Sequence, residues 1–350
     1  MKKNFLFLIF SGVLLSCNNN TRPPDVSSIK VELLTRPFEQ DFFAMDTANI
    51  GTSLEKIMQK YPGFTGDFIY NILGLNLDSM IHGNKEQQMA VKQFIRDYMP
   101  IKDSADVLYK DFKKYSGEIQ KGLQYVKYYF PDYQLPKSVI TFVGPLDANF
   151  QTSFGVQGDV LTPDGLGIGL QLHLGGDFSF YKSAAGQSLY PAFISENFDA
   201  DHIPINSMRN IADDLFEDKS SGKPLIEQMV EKGRFLFLIS KFLPAKPDYM
   251  LIGYTKIQMD AAKENEGVIW SFFLNNDLLN TQEQDIIKNY IGESPKTAEF
   301  GDNAPGNLGS FAGWQIVKKF MDKYPETSLK ELMQMDARDI YGKSKYKPRN

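Results

Sequence analysis

Strong strand-period alternation is confined to a short central stretch of this 350-residue chain, so the fold open to it is a small sheet held between two blocks of helix. Val139, Ile140, Phe142 and Val143 form a β-branched and aromatic run after Ser138. Ile168, Leu170, Leu172 and Leu174 then alternate with Gly167, Gly169, Gln171 and His173, which predicts a strand through Leu174. A weaker alternation over 26–34 reads as one more strand. Before the sheet the apolar spacing is helical. Thr52 with Glu55 reads as a capping box for a helix ending at Lys60, and helical patterns follow over 64–73, over 85–98 and through Ile119, Leu123, Val126 and Phe130. After Pro204 the helical spacing returns over 206–217, 225–243, 255–274, 281–291, 311–324 and 328–335, with capping boxes at Thr281/Gln284 and Ser328/Glu331. The class is α+β and helix-rich: one globular domain over 26–350, with a helical part at 50–131, a small sheet at 138–180 and a helical part at 204–340.

The N-terminus carries a different signal. Lys2 and Lys3 precede an apolar run from Phe5 to Phe10, too short to span a bilayer, and Leu14, Leu15 and Ser16 lead into Cys17 as a lipobox. Residues 1–16 are therefore expected to be a signal peptide cut before Cys17, whose thiol takes the lipid, and 17–25 an acylated, polar, proline-containing tether. Cys17 is the only cysteine, so no intramolecular disulfide forms and no thiol is left for catalysis. At about 0.8 kcal/mol per buried methylene, two or three acyl chains stabilise the anchored state by on the order of 20 kcal/mol. The net charge of −5 and the scattered Lys and Arg argue against nucleic acid as a partner.

Motifs with a chemical mechanism are scarce. No G-x-S-x-G elbow occurs, Gly165, Gly167 and Gly169 have strand spacing and not dinucleotide-loop spacing, and Gly342, Lys343 and Ser344 lack the upstream glycine of a phosphate loop. His82, His173 and His202 are the three histidines, none spaced as H-E-x-x-H, so His173 and His202 are weak metal candidates and no cofactor is expected. Asp213, Asp214, Glu217 and Asp218 read as a solvated acidic face. Glu266, four residues before Trp270, reads as a hydrogen-bonded carboxylate in mid-helix. Gly306, Gly309 and Gly313 suit tight turns and close packing, and Trp314, Ile316, Val317 and Phe320 suit a core-facing helix.

Several segments together resemble the gliding-motility lipoprotein family GldB of the Bacteroidota: Gly253, Tyr254 and Thr255 with Asn265, Glu266, Ile269 and Trp270; Ser294 and Pro295, then Asn303, Ala304, Pro305, Gly306, Leu308 and Gly309; Gly313 to Val317; and Ser344 to Pro348. The resemblance implies an envelope lipoprotein needed for gliding and the linked type IX secretion, with no reaction assigned. A fainter likeness is to the layout of gluzincin peptidases. It would set Arg209, Asn210 and Asp213 where a zinc helix needs His, Glu and His, and Glu231 at the glutamate ligand. Arg209 cannot bind zinc and Asn210 cannot act as a base, so the likeness implies a degenerate site or groove.

The resulting expectation is a non-enzymatic, outer-membrane-anchored lipoprotein facing the periplasm, with envelope proteins of the gliding and secretion machinery as partners. Two features set that location: no Asp directly follows Cys17, and no acidic surface-export cluster follows either. The alternatives are a zinc peptidase or cell-wall hydrolase built on His173, His202 and Glu231 or on paired carboxylates, and a lipid- or glycan-binding protein. Cys17→Ala is expected to shift the protein from the membrane pellet to the soluble fraction; pelleting of the variant with membranes would remove the lipid anchor from this reading.

Overall fold

The computed structural model describes residues 22–301 and 304–349; the leader, the lipobox residues and Cys17 lie outside the described residues. The chain is α+β and helix-rich, with a small mixed sheet in its middle. In chain order the strands are β1 (Leu34–Pro37), β2 (Ser138–Phe142), β3 (Phe150–Thr152), β4 (Gly155–Gln157), β5 (Val160–Thr162) and β6 (Gly165–Gly169). The main sheet runs β1-β2-β6-β5, with β1, β2 and β6 parallel and β5 antiparallel to β6. β3 and β4 form a separate hairpin. Every residue of β2 and β6 is buried, as parallel strands covered on both faces require.

One cover of the sheet is aromatic. Phe38, Phe42, Phe64 and Phe68 pack ring against ring, with Phe68 4.9 Å from both Phe38 and Phe42, and Phe64 lies 5.6 Å from Phe142 of β2. These rings come from the helices that carry the chain from β1 to β2, the long crossover that a parallel pair demands. β6 accepts this cover because Gly167 leaves room: a Cβ there would lie 3.2 Å from the Phe64 ring and 3.1 Å from Val160.

Several element boundaries differ from the sequence expectation, and in four of them the reason is local. The first strand is 34–37 and not 26–34, because its pairing with β2 starts only where the Leu34 amide donates to the Lys137 carbonyl. The helix expected from Thr52 begins at Ile50, which is buried, so the Thr52/Glu55 box does not form. The helix expected to stop at Tyr98 spans Lys85–Leu108 and carries Pro100 inside it, on its exposed face beside the exposed Arg96. The strand expected through Leu174 ends at Gly169, whose amide donates to Asp159 Oδ1 at 3.0 Å; Leu170–Leu172 then turn as a 3-10 helix.

In the C-terminal half the helix Leu225–Phe242 is buried along almost its whole length and packs most extensively on the helix Leu308–Lys323. Gly233 and Gly313 make that crossing. A Cβ on Gly313 would sit 1.7 Å from the Met229 carbonyl oxygen, and one on Gly233 2.3 Å from the Gly313 carbonyl, so the two backbones touch directly. Trp314, Ile316, Val317 and Phe320 are buried as expected. The stretch 255–274 is two helices, Lys256–Glu264 and Glu266–Asn275, so Glu266 stands in a first helical turn and not in mid-helix. It is hydrogen-bonded: Tyr346 Oη donates to Glu266 Oε1 at 2.7 Å, and the Tyr346 ring lies 5.0 Å from Trp270, docking the C-terminal segment.

Gly313→Ala is expected to destabilise the protein by about 2–3 kcal/mol, because the added carbon must push backbone and not a mobile side chain. Gly342→Ala, with nothing within 4 Å of the new Cβ, should instead stabilise by a few tenths up to about 1 kcal/mol. Urea midpoints at unchanged m measure both, and equal effects would refute the close crossing.

Candidate functional site

The helix Ile203–Leu215 starts where Asp199 accepts the amides of Asp201 and His202 and Pro204 occupies the first turn, and it runs beneath the β3–β4 hairpin. Arg209 emerges from its middle. One Nη donates to Asn206 Oδ1 at 3.3 Å, the other to the Leu251 carbonyl at 3.1 Å, and the guanidinium lies 5.1 Å from the centre of the Phe154 ring. Its Nε is buried without a partner. Burial lowers the Arg209 pKa to about 10, against the opposing charges of Glu293 and Asp213.

Charged side chains fix the hairpin tip from both sides. The Ser153 amide donates to Asp213 Oδ2 at 3.0 Å, and the Ser153 carbonyl accepts from Lys232 Nζ at 2.6 Å. Lys232 also pairs with Asp218 at 2.8 Å, and Asp214 accepts from Tyr133 Oη at 2.6 Å. The acidic run 213–218 is therefore only in part the solvated face its composition suggests: Asp214 and Glu217 are exposed, Glu217 with a 3.8 Å contact to Lys219, while Asp213 and Asp218 are half-buried. Burial raises the Asp213 pKa and the Ser153 amide opposes it.

Between the hairpin and the C-terminal helices lie two adjoining recesses of about 220 Å³ each, both lined by Phe154, Arg209, Ile252, Glu293 and Asn307. Gly253, with φ +80, ends the helix Asp248–Ile252 and turns Tyr254 inward, where its Oη donates to the Gly306 carbonyl at 2.8 Å. Gly306 allows the approach of the Ser294 carbonyl, 2.0 Å from where its Cβ would be. On the opposite wall Glu293 accepts the Val156 amide, and burial pushes its pKa up. Gly253, Tyr254, Thr255, Ser294, Pro295, Pro305 and Gly306, from two separate parts of the sequence, all line one recess.

The expected site residues do not form one constellation. Arg209 and Asp213 meet around the hairpin, and Asn210 turns back along its own helix to the Asn206 carbonyl at 3.2 Å. Glu231 lies elsewhere: it pairs with Arg234 in a different recess lined by Leu215, Phe216 and Met335. Arg234 in turn caps the helix Leu329–Gln334, donating to the carbonyls of Leu332, Met333 and Met335. The Arg209 cleft thus excludes Glu231, which meets the Asp213 helix at its last residue, Leu215, in the separate recess. Nothing in the sequence marked Lys232 or Glu293, whose roles come from contacts with a hairpin more than 70 residues away.

Each histidine has a partner on at least one ring nitrogen, and the buried Nε2 of His202 has none among the described residues. His173, 1 % exposed, places Nε2 3.0 Å from both oxygens of the fully buried Asp159 and Nδ1 3.0 Å from the Asp199 carbonyl. His202 Nδ1 lies 2.9 Å from Asp199 Oδ1. His82 Nδ1 lies 2.7 Å from the Asp78 carbonyl. Among the described residues no three His, Cys, Asp or Glu side chains converge to hold a metal ion.

Compared with known families, the chain matches the gliding motility protein GldB over residues 19–348. It belongs to the GldB family. The family's short label marks its members as lipoproteins, in keeping with a membrane anchor, and among the described residues no helix is long and apolar enough to cross a membrane. No curated protein and no solved structure gives a match, so the likeness to gluzincin peptidases gains nothing from comparison. Within this member of the GldB family, Gly253, Tyr254, Thr255, Ser294, Pro295, Pro305 and Gly306, which carry part of the resemblance, are among the residues that wall the cleft.

Burial disfavours a charge on His173, but the facing Asp159 carboxylate and two hydrogen bonds outweigh it and hold the pKa above its ordinary value. The folded state therefore binds the proton more tightly than the unfolded chain. Stability from the pair is complete below pH ~6.5 and is lost as pH rises through the elevated value. Asp159→Asn should lower stability at pH 6 and flatten its decline between pH 6 and 9 in urea titrations; an unchanged slope would contradict the assignment.

Proposed function

We propose that this protein is a lipoprotein held in the outer membrane by acyl chains on Cys17, facing the periplasm, and that it serves gliding and the associated secretion machinery as a non-enzymatic interaction component. The lipobox and the family match support the anchor and the process. The observation that carries the interaction role is that two of the family-resembling segments, around Gly253–Thr255 and around Ser294–Gly306, meet at the Arg209 cleft. Its charged groups hold structure in place: Asp213 and Lys232 grip the Ser153 peptide, and Glu293 grips the Val156 amide. Such a surface suits holding a partner more than transforming one.

Deletion of the gene is expected to abolish colony spreading on soft agar, and complementation with the unaltered gene to restore it. Cys17→Ala, expressed at the same level, should complement poorly. Normal spreading of the deletion strain would overturn the assignment to motility.

A further inference from the structure

Arg209 carries a charge that its own surroundings leave incompletely matched. Asn206 and Leu251 take two of its five N–H groups, its buried Nε has no partner, and among the described residues no carboxylate pairs with it directly. Asp213 and Glu293 are near enough to be felt but are turned to the amides of Ser153 and Val156. Keeping a guanidinium part-buried in this way is costly unless something else completes its hydrogen bonds.

The hairpin beside it has an edge of its own. Among the described residues β4 pairs only with β3, and Val156 faces Gln151 in a register that leaves its amide pointing away from the pair. That amide is taken by the Glu293 carboxylate, which presses on the strand at Gly155: with φ +103, a Cβ there would lie 2.2 Å from Glu293 Oε1. Glu293 thus stands where the carbonyl of a neighbouring strand would stand. Apolar walls from Val156, Phe193, Ile252, Tyr254 and Pro295 flank the same channel.

Resting on the reading of this cleft as the interaction surface, we propose that its occupant is the C-terminal end of an extended peptide, with the α-carboxylate on Arg209 and the preceding residues alongside β4. A planar carboxylate matches the guanidinium fork, a single arginine suits a monoanion better than a phosphate dianion, and a strand edge recognises backbone whatever the side chains. Glu293 accepts either the Val156 amide or an incoming peptide N–H, so it closes the edge when the cleft is free and joins the pairing when it is filled.

The test uses the full chain purified in mild detergent and two fluorescein-labelled hexapeptide pools, randomised over small and apolar residues, one ending in a free carboxylate and the other in a carboxamide. Fluorescence anisotropy should show the carboxylate pool binding at least tenfold more tightly, with the ratio falling to near one in Arg209→Gln. Glu293→Gln, which keeps an oxygen for Val156 and removes the competing charge, should tighten carboxylate binding several-fold; it decides the matter if Arg209→Gln fails to fold. Equal binding of the two pools, no binding of either, or displacement by inorganic phosphate as readily as by the carboxylate pool would overturn the proposal. A separate arm tests the reading beneath it. If neither pool binds yet Arg209→Gln cells with normal protein levels lose spreading, the ligand class is wrong and the cleft remains the working surface. If those cells spread normally, the cleft reading itself falls.

Discussion

The contact between the Gly233 and Gly313 backbones is the constraint from which the C-terminal half is organised. Two helices that touch at the main chain cannot slide or rotate without a clash, so the direction of every side chain on the helix Leu225–Phe242 is fixed. Because that helix is buried nearly all round, each polar group on it needs a partner at a definite place. Glu227 meets Arg338, the Glu231–Arg234 pair caps the helix Leu329–Gln334, and Lys232 reaches the hairpin tip at Ser153. One close crossing thereby sets both the docking of the C-terminal helices and one wall of the cleft.

The hairpin is the other half of the arrangement. Two three-residue strands have little stability alone, and β3–β4 stays ordered because charged side chains hold it from outside its own ladder. Asp213 holds the Ser153 amide, Lys232 the Ser153 carbonyl, and Glu293 the amide of Val156. Charge-assisted bonds of this kind are stronger than neutral ones, and each comes from a different helix or the turn after one. The cleft's shape is therefore tied to the relative placement of the helices at 203–215, 225–242 and 284–291.

Helices and their order were legible in the sequence because a 3.6-residue apolar period survives almost any tertiary context. Their ends were legible only where the cap was local. Ser328 and Glu331 form their box, whereas Thr281 and Gln284 do not, since the Thr281 carbonyl is recruited by the Leu225 amide and the helix starts two residues later than the motif implies. Thr255 and Gln258 also form a capping box at the start of the helix Lys256–Glu264. The alternation of Ile168 to Leu174 gave the right buried residues and the wrong strand end, because the amide of Gly169 is claimed by Asp159, a contact no local pattern carries. The site shows the same division. Arg209 and Asp213 could be placed on one helical face from spacing, but Glu231 is separated from them by its pairing with Arg234, and Glu293 joins them only through a strand edge far away in sequence.

Perturbed carboxyls in a cleft are the usual mark of catalysis, and Asp213 and Glu293 are both shifted upward by burial. Their geometry gives the shift another meaning. Acid–base chemistry needs a carboxyl within reach of a reacting proton, and each of these has an oxygen already fixed to a backbone amide of the hairpin. Loss of either bond would free an edge or a tip of the hairpin and not simply remove a reactive group. The Arg209 guanidinium is differently placed, lying against the Phe154 ring with donors left over and lining both recesses. A cleft whose neighbouring carboxylates hold the hairpin wall and whose lining cation keeps unused donors is built to recognise negative charge, and its selectivity depends on how firmly the hairpin is held.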